Sequence, residues 1–180
     1  MFDRNKRTSS TSSMVRAGIA TLAALCALSV SGSAWAQGAQ GHTFGLGIIL
    51  GEPSGLTLKQ WFNPSNALDV HLAFDFTDDA LAVFSDYLFH FDAFRISSGA
   101  GVDLPLYVGI GGKLLVDAND NNKNNDKDTA VALGARVPIG LAVLLKKAPL
   151  EIFVEIAPGV LIIPRTTADI DGGVGVRYYF

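Results

Sequence analysis

The sequence predicts an all-β protein, an eight-stranded antiparallel up-and-down transmembrane β-barrel. Three observations carry that prediction. From residue 42 onward apolar residues recur at every second position, the period of a strand and not of a helix. The alternating segments number eight, an even count, and each runs to roughly ten residues, the length a tilted membrane strand needs. The face opposite the aliphatic one is glycine-rich and carries charges of both signs, which suits a narrow lumen better than a solvated surface.

The first strand, His42–Leu50, sets Phe44, Leu46, Ile48 and Leu50 against Gly45, Gly47 and Ile49. Glu52-Pro-Ser-Gly55 is a turn by composition. Leu56–Phe62 then offers Thr57, Lys59 and Trp61 against Leu58, Gln60 and Phe62, and Asn63-Pro-Ser-Asn66 turns the chain back. Ala67–Phe76 has the cleanest alternation, with Leu68, Val70, Leu72, Phe74 and Phe76 opposite Asp69, His71, Ala73 and Asp75. Asp78 and Asp79 mark a turn into Leu81–Phe91, where Val83, Tyr87, Phe89 and Phe91 oppose Ala82, Asp86 and His90. A looser connection over residues 92–103 leads to Leu104–Val116, with Leu106, Val108, Ile110 and Leu114 opposite Tyr107, Gly109, Gly111 and Lys113.

Asp117–Asp128 is wholly polar apart from Ala118, low in complexity, and reads as a solvated loop. Thr129–Val143 places Val131, Leu133, Val137 and Ile139 opposite Ala132, Gly134 and Arg136. After the turn at Lys146-Lys-Ala-Pro149, Leu150–Ile163 places Ile152, Val154, Ile156, Val160 and Ile162 opposite Glu151, Phe153, Glu155 and Gly159. The last strand carries Val174, Val176, Tyr178 and Phe180 opposite Gly173, Gly175, Arg177 and Tyr179. Pro138 and Pro158 cannot donate ladder hydrogen bonds, so a local irregularity is expected at each.

Two soluble arrangements, a lipocalin-like barrel and a two-sheet sandwich, use the same strands with the aliphatic face as core. The aromatics favour the inverted arrangement. Phe44, Phe62, Phe89, Phe91, Tyr178 and Phe180 fall near one rim, and Phe74 and Phe76 near the other, as membrane-interface girdles do. The inward face then holds a charge network of Lys59, Asp69, His71, Asp86, His90, Lys113, Arg136, Glu151, Glu155, Asp171 and Arg177. Opposite charges in a tight lumen are expected to pair, because a lone buried charge is costly. Arg177 is expected to meet a carboxylate such as Asp171 or Glu155, His71 to sit with Asp69, and His90 with Asp86.

Residues 1–36 read as a secretory signal peptide and residues 37–180 as the barrel. Arg4, Lys6, Arg7 and Arg16 precede an apolar run from Ala17 to Val30, and small residues lead to a cleavage position after Ala36. The run is shorter than the ~20 residues of a membrane-spanning helix, and Cys26, mid-run after Leu25, is ordinary filler. The first 36 residues hold four of the fourteen Lys+Arg and one of the seventeen Asp+Glu, leaving ten bases against sixteen acids and no cysteine. That balance argues against nucleic acid as a partner.

Val174-x-Val176-x-Tyr178-x-Phe180 resembles the C-terminal signal read by the barrel-assembly machinery. Over residues 42–180 the chain resembles the small eight-stranded outer-membrane barrels of Gram-negative bacteria, of the outer-membrane protein A and X type. Its front half, Gly45-x-Gly-Ile-Ile-x-Gly-x-Pro-x-Gly55 with Lys59 and Ala67-Leu-Asp-Val70, resembles a family of small barrels of unassigned function. The resemblance implies residence in the cell outer membrane. Outer-membrane lipid, lipopolysaccharide, the assembly machinery and periplasmic chaperones are the implied partners, and the barrel is expected to be a monomer. No peptidoglycan-binding segment is expected after Phe180.

The expected function is non-enzymatic: a structural or surface-contact barrel with a plugged lumen and no cofactor. The alternatives are a lipid A-modifying enzyme, a narrow pore and a soluble lipocalin-like binder. An enzyme needs a nucleophile with a base in reach. His71 and His90 fall inward, however, whereas Ser85 falls outward with no histidine on its face. Asp117, Asn119, Asn121 and Asp128 stand at positions 1, 3, 5 and 12 of a calcium-loop spacing, but the turn glycine and the terminal glutamate are missing. A solvated outer loop explains the composition without a metal and is the favoured reading.

Overall fold

The computed structural model describes residues 38–75, 80–94, 101–120 and 128–180. Nine strands are described: β1 (Phe44–Glu52), β2 (Gly55–Asn63), β3 (Asn66–Asp75), β4 (Ala80–Phe94), β5 (Val102–Asp120), β6 (Asp128–Arg136), β7 (Ile139–Leu145), β8 (Leu150–Ile163) and β9 (Thr167–Tyr179). Every pairing between them is antiparallel. β1 pairs with β2 on one side and β9 on the other, so the sheet closes in a ring. Closure leaves no continuous free edge, which is the usual hazard of an all-β fold.

Nine strands, rather than the eight read from the sequence, arise at a single place. β6 and β7 share the same neighbours, β5 and β8. Pairing continues across the gap between them without a slip: Arg136 stands opposite Gly111 and Gly159, and Ile139 opposite Val108 and Ile156. They are two halves of one stave, divided at Val137-Pro138. Pro138 has no N–H to donate toward β5, although its carbonyl still accepts from the Gly109 N–H at 2.8 Å. Pro158 behaves differently. β8 runs through it in unbroken register with β9, and only the ladder on the opposite side lapses, where its carbonyl accepts from the Val137 N–H at 2.9 Å. The two prolines thus share one interruption, and the ring keeps eight positions around its circumference.

The long polar segment is also shorter as a loop than its composition suggests. β5 extends to Asp120 and β6 starts at Asp128, with a register shift between Asp117 and Asp120. Backbone pairing does not require apolar side chains, so a hairpin can continue past its greasy part. Asn121 and the side chains of Asp117, Asn119 and Asp128 lie outside the described residues, as do residues 1–36 and Phe76.

Burial alternates with strand parity through the middle of the strands and fades toward some strand ends, in the sense opposite to that of a protein with an apolar core. Leu46, Ile48, Ile152, Val154, Val174 and Val176 are all exposed, and Ile110 and Ile156 reach 65% and 58% exposure. Lys59, Asp69, Asp86, Glu151 and Arg177 are each 0% exposed. Among the described side chains, which exclude Phe74, the exposed aromatics gather toward the rim that holds the β2–β3 and β7–β8 turns. Tyr178 and Phe180 lie 5.0 Å apart by ring centroids, Phe44 and Phe180 6.5 Å, and Tyr87 links Phe62 to Phe89 at 6.2 and 5.1 Å.

An interior this narrow needs glycine where a large side chain crosses it. Gly175 lies opposite Phe153, and a Cβ there would come within 2.3 Å of the Phe153 ring and 2.7 Å of the Ile48 carbonyl oxygen. Gly175→Ala is therefore expected to destabilise the fold by about 1–3 kcal/mol through overpacking. Gly112→Ala, whose new methyl group meets nothing closer than 3.6 Å, should leave it unchanged. Melting of the two variants side by side checks this, and equal melting temperatures would contradict it.

Candidate functional site

The inward faces of β2, β3, β8 and β9 bring Lys59, Asp69, Glu151 and Arg177 together. Lys59 Nζ lies 3.0 Å from Glu151 Oε1, and Arg177 donates to the same oxygen at 2.8 Å. Arg177 also pairs with Asp69 and donates twice to Thr57 Oγ1, from Nε at 3.0 Å and from the guanidinium terminus at 2.7 Å. The Thr57 hydroxyl passes a hydrogen bond on to Asp69 Oδ1 at 3.2 Å. The Trp61 indole N–H donates to the Tyr179 hydroxyl at 3.0 Å, and Tyr179 in turn donates to Glu151. The Arg177 guanidinium lies over the Phe153 ring at 3.7 Å, and Lys59 Nζ over the Trp61 ring at 4.8 Å.

A second cluster is built on β4, β5, β6, β8 and β9. Arg136 Nε donates to Asp86 Oδ1 at 3.1 Å, and the same side chain reaches Glu155 and, at 3.5 Å, Asp171. The Tyr107 hydroxyl donates to Glu155 Oε2 at 2.9 Å. Lys113 pairs with Asp171 at 3.0 Å and with Asp169. Among the described residues the interior thus holds four Lys or Arg side chains against six carboxylates. The pairs of Lys59 and Arg177 are fully desolvated, so removing one partner there is costly even where the intact pair adds little net stability.

Two pairings differ from the sequence reading. Arg177 meets Asp69 and Glu151 rather than Asp171 or Glu155, because the carboxylates at its height come from β3 and β8 near the turn-bearing rim. His90 does not meet Asp86. Its ring packs at 4.2 Å on Trp61 and 5.3 Å on Tyr107, and neither ring nitrogen has a hydrogen-bond partner among the described residues. His71 lies beside Asp69, with Nε2 3.6 Å from Oδ2. Ser85 is exposed on the outer face, on the other side of the wall from both histidines. Thr57 and Asp169 join these clusters without standing in the expected charge network, although parity places each inward: Thr57 shares the face of Lys59, and Asp169 stands an even number of positions from Arg177.

Below the β1–β2 turn, His71, Phe84, Arg136, Glu155 and Asp171 line a small pocket with room for about one water molecule.

A closed antiparallel β-ring with an apolar exterior and an ion-paired interior is the class that fold and site define. Residues 37–178 match the profile of the family described as "Protein of unknown function (DUF3996)", and the chain belongs to that family. No curated protein and no solved structure matches it significantly.

Proposed function

We propose that the chain is a small outer-membrane β-barrel, of the outer-membrane protein A and X type, with a plugged lumen and a structural or surface-contact role rather than an enzymatic one. The observation that carries this reading is the inverted polarity of the ring. A large apolar side chain gains roughly 1.5–3 kcal/mol on leaving water, and the leucines, isoleucines and valines exposed on this exterior would forfeit that gain in an aqueous compartment. Exposed apolar patches of such extent mark a surface that meets another apolar phase. Lipid supplies that phase, and the aromatic clusters at one rim suit its headgroup boundary.

In this reading residues 1–36 direct export, and Val174, Val176, Tyr178 and Phe180 serve the assembly machinery as well as facing lipid. The barrel inserts as a monomer among lipopolysaccharide and phospholipid. An eight-position ring leaves an interior just wide enough for side chains, and here two ionic clusters and the Trp61, Tyr107 and Phe153 rings occupy it.

Membrane fractionation joined to unboiled gel electrophoresis is the direct test. Outer-membrane recovery and a heat-modifiable compact band are expected, and a soluble periplasmic protein would overturn the reading. In planar bilayers no large, stable conductance is expected, and a sustained open channel would refute the plug. Lipid A from an overexpressing strain should be unaltered.

A further inference from the structure

We propose that Asp69, His71 and Glu155 form a binding site inside the ring for one divalent cation of the zinc type. The three residues come from β3 and β8, on separate walls, and each offers one ligand atom. These atoms lie within 4.8 Å of one another, and all three side chains are buried. A cation held at about 2.0–2.2 Å from each ligand needs only a small inward movement of these groups.

Three independent features favour an occupant here. The first is His71 Nε2, which is 3% exposed as a residue, faces Asp69 at 3.6 Å, and has no hydrogen-bond partner among the described residues. That separation is too long for a hydrogen bond, and leaving a buried polar nitrogen unsatisfied costs stability. The second is space: His71 and Glu155 line the pocket whose free volume matches a single water or ion. The third is charge. Asp69, Asp86, Glu151, Glu155 and Asp171 face Lys59, Lys113, Arg136 and Arg177 among the described residues, with Asp169 30% exposed beside Lys113, so the interior carries an excess of negative charge that a cation offsets.

The donor set selects the class of metal. One imidazole nitrogen with two carboxylates suits zinc, whereas calcium and magnesium favour all-oxygen shells of six or more ligands. Arg177 and Arg136 already pair with Asp69 and Glu155. Each carboxylate oxygen has two lone pairs, so those bonds can persist beside the metal. The nearby guanidiniums repel it, which makes the site moderate in affinity and sensitive to the arginines. If no metal binds, the alternative is a neutral His71 whose Nε2 stays without a partner, and the two cases separate experimentally.

The test uses untagged full-length protein folded into detergent micelles, equilibrated with zinc chloride, dialysed, and analysed for metal by mass spectrometry. One zinc per chain is expected, with a saturable rise in melting temperature that equal concentrations of magnesium or calcium do not produce. His71→Gln should lower zinc occupancy at least tenfold while His42→Gln, at an exposed histidine, leaves it unchanged. Should His71→Gln fail to fold, cobalt(II) bound to the wild-type protein gives a second measurement. Intense visible d–d bands of a four- or five-coordinate ion support the site, and only the faint bands of a hydrated octahedral ion overturn it. Wild-type protein without stoichiometric zinc, or His71→Gln with as much as wild type, also overturns it.

Discussion

Arg177→Ala is expected to remove about 3–5 kcal/mol of folding free energy, the cost of leaving buried charges without their partner. Arg177 joins Asp69, Glu151 and Thr57 and covers the Phe153 ring, all at zero or near-zero exposure. Its loss strands the Asp69 carboxylate, whose remaining contacts are the Thr57 hydroxyl and the His71 ring. It also leaves Glu151 with Lys59 and Tyr179 alone. The charge argument further predicts partial rescue. In the double variant Arg177→Met, Asp69→Asn, which keeps Glu151 for the buried Lys59, most of the lost stability should return, because the penalty lies in uncompensated charge and not in the missing contacts. Urea unfolding followed by tryptophan emission measures both. A loss below about 1 kcal/mol for Arg177→Ala would place that side chain in a solvated setting, where ion pairs are worth little.

Val176→Arg should cost about 2–4 kcal/mol in lipid vesicles, the depth-dependent penalty for a cation on the lipid face near the bilayer midplane. Val176 sits opposite Ile48 on one side and Ile152 on the other, midway along the height of β1. Phe91→Arg, near the rim of the exposed aromatics, should cost only about 0–1 kcal/mol, since cations are tolerated at the interface. The sign makes this pair decisive. In water, an arginine replacing a 38% exposed valine would be neutral or would improve solubility. A Val176→Arg variant as stable as wild type, with no dependence on height, would remove the lipid-facing reading.

Both experiments address features that differ in how far the sequence discloses them. The division of each strand into two faces is visible in Ala67-Leu-Asp-Val-His-Leu-Ala73, where Asp69 and His71 fall inside and Leu68, Val70 and Leu72 outside. Parity is a local property of an extended backbone, so no tertiary information is needed to read it. The stave broken at Pro138 was foreseen as an irregularity, for a missing N–H is a property of the residue itself. That Pro158 would spare its pairing with β9 was not foreseeable, because the outcome depends on which neighbour its absent donor faces.

The partners inside the ring are of another kind. Lys59 and Glu151 are 92 positions apart, and Arg177 and Thr57 120. Whether two inward side chains meet depends on the stagger of strands on opposite walls, which accumulates around the circumference and leaves no local trace. The sequence by itself determined the strands, their parity and the set of residues that point inward. Only the closed ring decided that Arg177 takes Asp69 and Glu151, that His90 packs on aromatic rings instead of a carboxylate, and that His71 meets Glu155 across the interior. Side-chain direction is set residue by residue, whereas height inside a ring is set by every strand at once.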